Sequence, residues 1–219
     1  MNIKILLKII LIIYITTLQV FCNIKLKSSS EEDILHKYKN EIIKSANIVN
    51  ISPRILASII YAEHRLNFKF GEGVIDYVFA KSGYNSSIGL AQVQINTGLW
   101  IEKQVRNSHS QFYLGKDIEK NLPVTKDWDD MIEVLDTPEK NILYAACYIA
   151  MINKLWEPYF GLLDSGNIKV GIIATIYTLG IFDSSNKIRQ PHSNAQMNEF
   201  GKTAQEFYDS FSLRGDFNQ

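Results

Sequence analysis

Ser52-Pro53-Arg54-Ile55-Leu56-Ala57-Ser58-Ile59-Ile60-Tyr61-Ala62-Glu63 reads as the opening of a buried helix. Ser52 suits the N-cap, and Pro53 suits the first helical position, where its missing N–H is no loss. Leu56, Ile59 and Ile60 stand seven, four and three residues before Glu63, so the carboxyl shares the face that those side chains bury. A carboxyl held against apolar groups favours its protonated form, as a general acid working near neutrality requires. The same spacing also fits an acid at the edge of the stripe, paired with Arg65 or Lys69 or solvated.

The helix is expected to run to about Leu66. From Asn67 to Gly89 the period dissolves into Gly71, Gly73, Gly83 and the polar run Ser82-Gly-Tyr-Asn-Ser-Ser87, which reads as one long loop. Upstream, Ser28-Ser-Ser-Glu-Glu-Asp33 caps an amphipathic helix whose apolar positions are Ile34, Leu35, Tyr38, Ile42, Ala46 and Val49. Downstream, helical signals resume near Thr97, around Asp127–Val134, and after Thr137-Pro138 as far as about Pro158. Asn167–Gly180 is almost wholly apolar and reads as a central helix stopped by Gly180. A last amphipathic helix is expected over about Ala195–Phe211. The class is mainly α, with room for a minor β element in the long loop.

Of the 219 residues 46% are apolar and 21% charged, enough for one globular domain with a substantial core. Lys plus Arg and Asp plus Glu are both 23, so no summed field favours nucleic acid. Cys22 and Cys147 make no disulfide framework, and no CxxC or HExxH is present, so neither a metal nor a cofactor is implied. Residues 1–22 carry Lys4 and Lys8 ahead of the apolar run Ile9–Ile15, which is short for a span and reads as a secretory signal, with an N-terminal anchor or a lipidated Cys22 as alternatives. Without that segment the net charge is −2, because it holds two lysines and no acid. Residues 23–50 are then an N-terminal helix packing on a domain of residues 51–219. Cys147 reads as a small buried core residue.

Ser86-Ser-Ile-Gly-Leu-Ala-Gln-Val-Gln-Ile-Asn-Thr97 follows the loop. Small residues at Ser87, Gly89 and Ala91 allow a close approach of backbone. Gln92, Gln94 and Asn96 offer neutral amides, which suit sugar hydroxyls and acetamido groups better than phosphates. The same stretch also reads as an ordinary turn into a helix capped by Asn96 or Thr97.

Taken in order, Ser52–Glu63, Ser87-Ile-Gly-Leu-Ala-Gln-Val93 with Thr97, and Ile173-Ala-Thr-Ile-Tyr-Thr-Leu-Gly180 resemble the three-part signature of the soluble lytic transglycosylase and goose-type lysozyme group. The resemblance covers about residues 50–181 and implies a lysozyme-like helical domain that cuts the bond between N-acetylmuramic acid and N-acetylglucosamine. It implies that Glu63 is the acid, that Gln92 lines the saccharide cleft, and that Tyr177 lies near the acid. Ser87, Gly89, Gln94 and Asn96 join Gln92 as expected substrate contacts. Three positions depart from the pattern: His64 follows the acid in place of Ser, Ala91 replaces Met, and Thr178 replaces Asn. His64 could set a positive charge beside the acid or face outward.

An inverting hydrolase needs a second carboxylate to activate water. The goose-type lysozymes carry an Asp where this chain has Gln94, and Asp76 is the one acid between Glu72 and Gly89 left as a candidate base. A lytic transglycosylase needs none, because by the resemblance the same Glu takes the proton of the substrate's own 6-hydroxyl. The expected enzyme is therefore a lytic transglycosylase, with a hydrolytic muramidase or a non-catalytic glycan-binding module as alternatives. Its partner is the glycan strand of peptidoglycan, not nucleic acid, and it is expected to act as a monomer in the cell envelope or outside the cell, without a membrane span once the signal is removed.

Overall fold

A computed structural model describes residues 30–66, 72–163, 168–210 and 215–217. The expected signal, Cys22 and residues 67–71 lie outside the described residues. The described chain is mainly helical, as the periodicity predicts, with ten helices and one two-stranded sheet. In chain order these are α1 (Glu31–Lys37), α2 (Lys39–Ile48), α3 (Pro53–Leu66), α4 (Glu72–Lys81), β1 (Ser87–Ile88), β2 (Val93–Gln94), α5 (Ile95–Val105), α6 (Lys116–Asn121), α7 (Trp128–Asp136), α8 (Pro138–Phe160), α9 (Lys169–Leu179) and α10 (Glu199–Asp209).

The core is built around α8 and α9. Pro138 starts α8, and its side chains from Asn141 to Ile152 are all buried. The near-continuous apolar run of α9 is buried from Val170 to Tyr177, and Gly180 ends it with φ +84°. A helix apolar on all sides must be covered on all sides; α9 lies against α8 and α10, and α10 packs in turn on α3. Cys147 is fully buried, and burial pushes its thiol well up, consistent with a core residue.

Several local expectations are corrected. The single amphipathic helix expected upstream opens at Ser30, in a capping box with Asp33, and divides at Tyr38, where ψ turns to 20°. The long loop is not structureless, because α4 occupies Glu72–Lys81. Its register is set by distant partners: Trp128 Nε1–H donates to the Ala80 carbonyl at 2.9 Å, and Lys81 Nζ lies 3.2 Å from Asp129 and 3.5 Å from Glu133. A turn of helix, α6, forms where no period was visible. Nor is α5 capped by Asn96 or Thr97. It begins at Ile95, and Asn85 Oδ1 accepts the Asn96 N–H at 2.8 Å.

The expected minor β element is the antiparallel pair Ser87↔Gln94 and Ile88↔Val93. Its turn is held by Asn141, which is fully buried on α8. The Asn141 amide accepts the Ala91 N–H at 2.7 Å and donates to Ile88 O at 2.7 Å and Leu135 O at 2.9 Å. Gly89 has φ +75°, and a Cβ there would collide with the Leu135 carbonyl and the Asn141 side chain. The close backbone approach that Gly89 permits is therefore to the protein's own core, not to a substrate.

Candidate active site

Two acids are buried among the described residues, Glu63 at 4% exposure and Glu102 at 7%. Glu102 is surrounded by its own partners. Tyr144 O–H donates to it at 2.5 Å, Arg106 pairs with it at 3.1 Å, and the Thr125 N–H reaches it at 3.2 Å. Arg106 also donates to Pro123 O at 2.6 Å, so this cluster pins the segment after α5 to α8. That is a structural role.

Glu63 instead faces a cleft of about 250 Å³, walled by Ser87, Gln92, Gln94, Thr97, Tyr148, Tyr177 and the end of α9 at Thr178–Gly180. Four helices and the hairpin bring these residues together from sequence positions more than a hundred apart. Of the sequence-predicted site residues, Glu63, Ser87, Gln92, Gln94 and Tyr177 share this cleft. Gly89 and Asn96 are not in its wall, and neither is Asp76, which is half-buried on α4. Asn96, two residues past Gln94, is exposed on the first turn of α5, where the chain has already become helical.

The hairpin turn beside Glu63 is clamped from three sides. Tyr177 O–H, from α9, donates to Ala91 O at 2.6 Å. His64 Nε2–H, next to Glu63 on α3, donates to Leu90 O at 3.0 Å. Asn141 takes the Ala91 N–H from below. His64 and Ala91 thus both lie in this clamp. His64 is buried, and burial holds its imidazole below its ordinary pKa. It is neutral near pH 7, which corrects both expectations for it: it neither adds a charge nor faces outward.

Burial pushes the Tyr177 phenol well above its ordinary value, and the nearby Glu63 carboxylate pushes it further. Tyr177 therefore stays a hydrogen-bond donor throughout the physiological range. Its removal has a predictable cost: Tyr177→Phe leaves Ala91 O without its donor and is expected to lower stability by about 1–3 kcal/mol, read as a lower urea midpoint at unchanged m-value.

Protonation of His64 gives a pH test of the clamp. The unfolded chain takes up the imidazole proton near its ordinary pKa of about 6.5, and the folded chain does so only at lower pH. The unfolded state then binds more protons, so stability is full above that value and falls as pH drops below it. The difference in urea midpoint between pH 7.5 and pH 5 should shrink in His64→Gln, which keeps a donor for Leu90 O but does not titrate.

Tyr148, which the sequence did not single out, also lines the cleft. Its hydroxyl oxygen accepts the Ile181 N–H at 2.8 Å, its ring lies 5.5 Å from that of Tyr177, and burial pushes the phenol up to about 12. Its position four residues past Tyr144 on a helix that crosses the core was the available signal. Gln92 adopts φ +50°, a left-handed conformation costing about 1–2 kcal/mol in a residue with a side chain. Its Nε2 donates to Gly89 O at 3.0 Å, and the strained backbone sits at the cleft wall, where such strain tends to collect.

The arrangement offers one buried carboxyl, two phenols, two neutral amides and three small hydroxyls. Among the described lining residues Glu63 is the one carboxylic acid, and none is a cation. Among the described residues no group of three His, Cys, Asp or Glu could hold a metal ion, and no helix is long and apolar enough to cross a membrane. Compared with known proteins, the chain matches no family model and no curated relative.

Proposed function

We propose that this protein is a lysozyme-like lytic transglycosylase that cuts the β-1,4 bond between N-acetylmuramic acid and N-acetylglucosamine in peptidoglycan. The observation that carries the reading is the cleft itself: one buried carboxyl, Glu63, set among phenols and neutral amides, with no second carboxylate among the described residues of the wall. A hydrolase of the inverting kind would need such a partner roughly 6.5–9.5 Å away. Gln94 occupies the position at which the goose-type lysozymes carry an Asp, and it cannot act as a base.

In this mechanism the Glu63 carboxyl gives its proton to the glycosidic oxygen as the bond to the anomeric carbon breaks. The resulting Glu63 carboxylate then takes the proton of the muramyl 6-hydroxyl, whose oxygen bonds to the anomeric carbon and closes a 1,6-anhydro ring. The proton lost in the first step is regained in the second, so a single group serves as acid and base. Gln92 and Gln94 suit the acetamido and hydroxyl groups of the sugars, and Tyr177 and His64 hold the turn that carries Gln92 beside the acid. The enzyme would act on glycan strands in the cell envelope or outside the cell.

Clearing of a suspension of isolated peptidoglycan by the purified protein tests the reading. Turbidity should fall with wild type, and Tyr177→Phe should clear it about tenfold more slowly. No clearing of any wall preparation by wild type would contradict it.

A further inference from the structure

A second hollow, of about 300 Å³, adjoins the cleft, and Leu179 belongs to the walls of both. It lies between α8, the last turns of α9 and residues 183–196. Trp156 is part of its wall and is 2% exposed, and its indole N–H has no acceptor among the described residues. Buried donors left without a partner are rare in folded proteins, and this one sits beside an open hollow instead of in packed core.

Arg189 belongs to the same wall. Arg65 and Arg106 are paired with carboxylates, but among the described residues Arg189 is not. Arg189 Nε–H donates to Gly180 O at 2.9 Å, which anchors the guanidinium at the turn that closes the cleft. His192 stands exposed in the wall, as does Gln190, whose Nε2 donates to Ile188 O at 3.1 Å. The one carboxylate in the wall, Asp183, is engaged by its own turn: its Oδ1 accepts the N–H groups of Ser185 and Lys187 at 2.8 and 3.0 Å. A hollow with a planar cation and a buried indole N–H that lacks an acceptor among the described residues suits a ligand that brings acceptor oxygens, a carboxylate above all.

We propose that this hollow binds a carboxylate of the peptide stems that branch from the glycan strand, with Arg189 as the anion-binding residue and Trp156 in the supporting wall. The inference rests on the reading of the cleft as a peptidoglycan site. Peptidoglycan sugars are neutral, whereas their stem peptides carry carboxylates and leave the strand at the muramyl residue, beside the bond to be cut. A site next to the cleft is where that group would fall.

The test is binding to the full chain, read by the indole N–H resonances in a ¹⁵N spectrum, with Trp156 identified by the loss of its signal in Trp156→Phe. Three probes are titrated: the free stem peptide L-Ala-γ-D-Glu-diaminopimelate, the same peptide with its carboxyls amidated, and peptide-free chitotetraose. The free peptide should move the Trp156 resonance. Amidation, and separately Arg189→Gln, should weaken its binding at least about tenfold, the size of one charge-assisted contact. A Trp156 resonance that ignores the peptide, responds to the amidated form equally, or moves as far with chitotetraose would overturn the inference. Binding needs no turnover, so a chain that clears peptidoglycan yet ignores the peptide refutes this inference alone, and one that binds the peptide without clearing refutes only the cleavage reading.

Discussion

Glu63→Gln is expected to abolish glycan cleavage, with a loss of at least about 10³-fold, while the protein stays folded. The amide has the shape of the acid and can donate and accept hydrogen bonds, but it has no proton to give to a leaving oxygen and cannot take one back. General acid–base catalysis alone contributes about 10²–10⁴-fold, and in the proposed mechanism one residue supplies both halves of it. Glu63 is 4% exposed on a helix whose packing is carried by Leu56, Ile59 and Ile60, all fully buried, so an isosteric change leaves the core of α3 intact. The checks are the rate of product release and a thermal melt of the same sample. Cleavage retained in Glu63→Gln would remove the acid from the mechanism. A melt lowered by many degrees would instead move Glu63 from chemistry to structure.

Asn141→Leu is expected to cost the most stability of any single change in this region. The side chain is of similar size, but three buried backbone groups lose their partners at once: the Ala91 N–H, Ile88 O and Leu135 O. Each orphaned group costs about 1–3 kcal/mol, giving about 3–6 kcal/mol together after allowance for relaxation of the turn. At about 2–4 °C per kcal/mol for a domain of this size, the melting temperature should fall by about 10 °C or more. Asn141→Asp separates the contributions, because a carboxylate still accepts from Ala91 N–H but cannot donate to either carbonyl. A melt within about 2 °C of wild type for Asn141→Leu would mean that the hairpin is not held by this side chain.

Both residues show what was legible in the sequence. Glu63 was found because its position relative to Leu56, Ile59 and Ile60 is a local fact, fixed by the helical period. The paths of α8 and α9 were legible for the same reason, as were their ends at Pro138 and Gly180. Asn141 gave no signal, since two of its three partners lie fifty and fifty-three residues earlier in the chain, at Ala91 and Ile88. The helix α4 was hidden behind Gly71 and Gly73, which read as breakers, and it is held by Trp128 and Lys81 contacts that no local window contains. His64 looked like a charge or a surface residue because its acceptor, Leu90 O, arrives from the hairpin. Gly89 was rightly singled out as a place of close approach, but the spacing could not say that the approaching group was Leu135 and not a sugar. Gln92, at the end of the hairpin turn, and Gln94, on β2, both line the cleft, and Asn96 falls out of it because the chain has already turned into α5.

The chemistry is tested most directly by the mass of the soluble fragments released when the purified protein digests isolated bacterial peptidoglycan. A single carboxyl acting as acid and base predicts muropeptides ending in 1,6-anhydro-N-acetylmuramic acid. Reducing ends about 18 Da heavier, the mass of one added water, would contradict it and require a second carboxylate to activate that water.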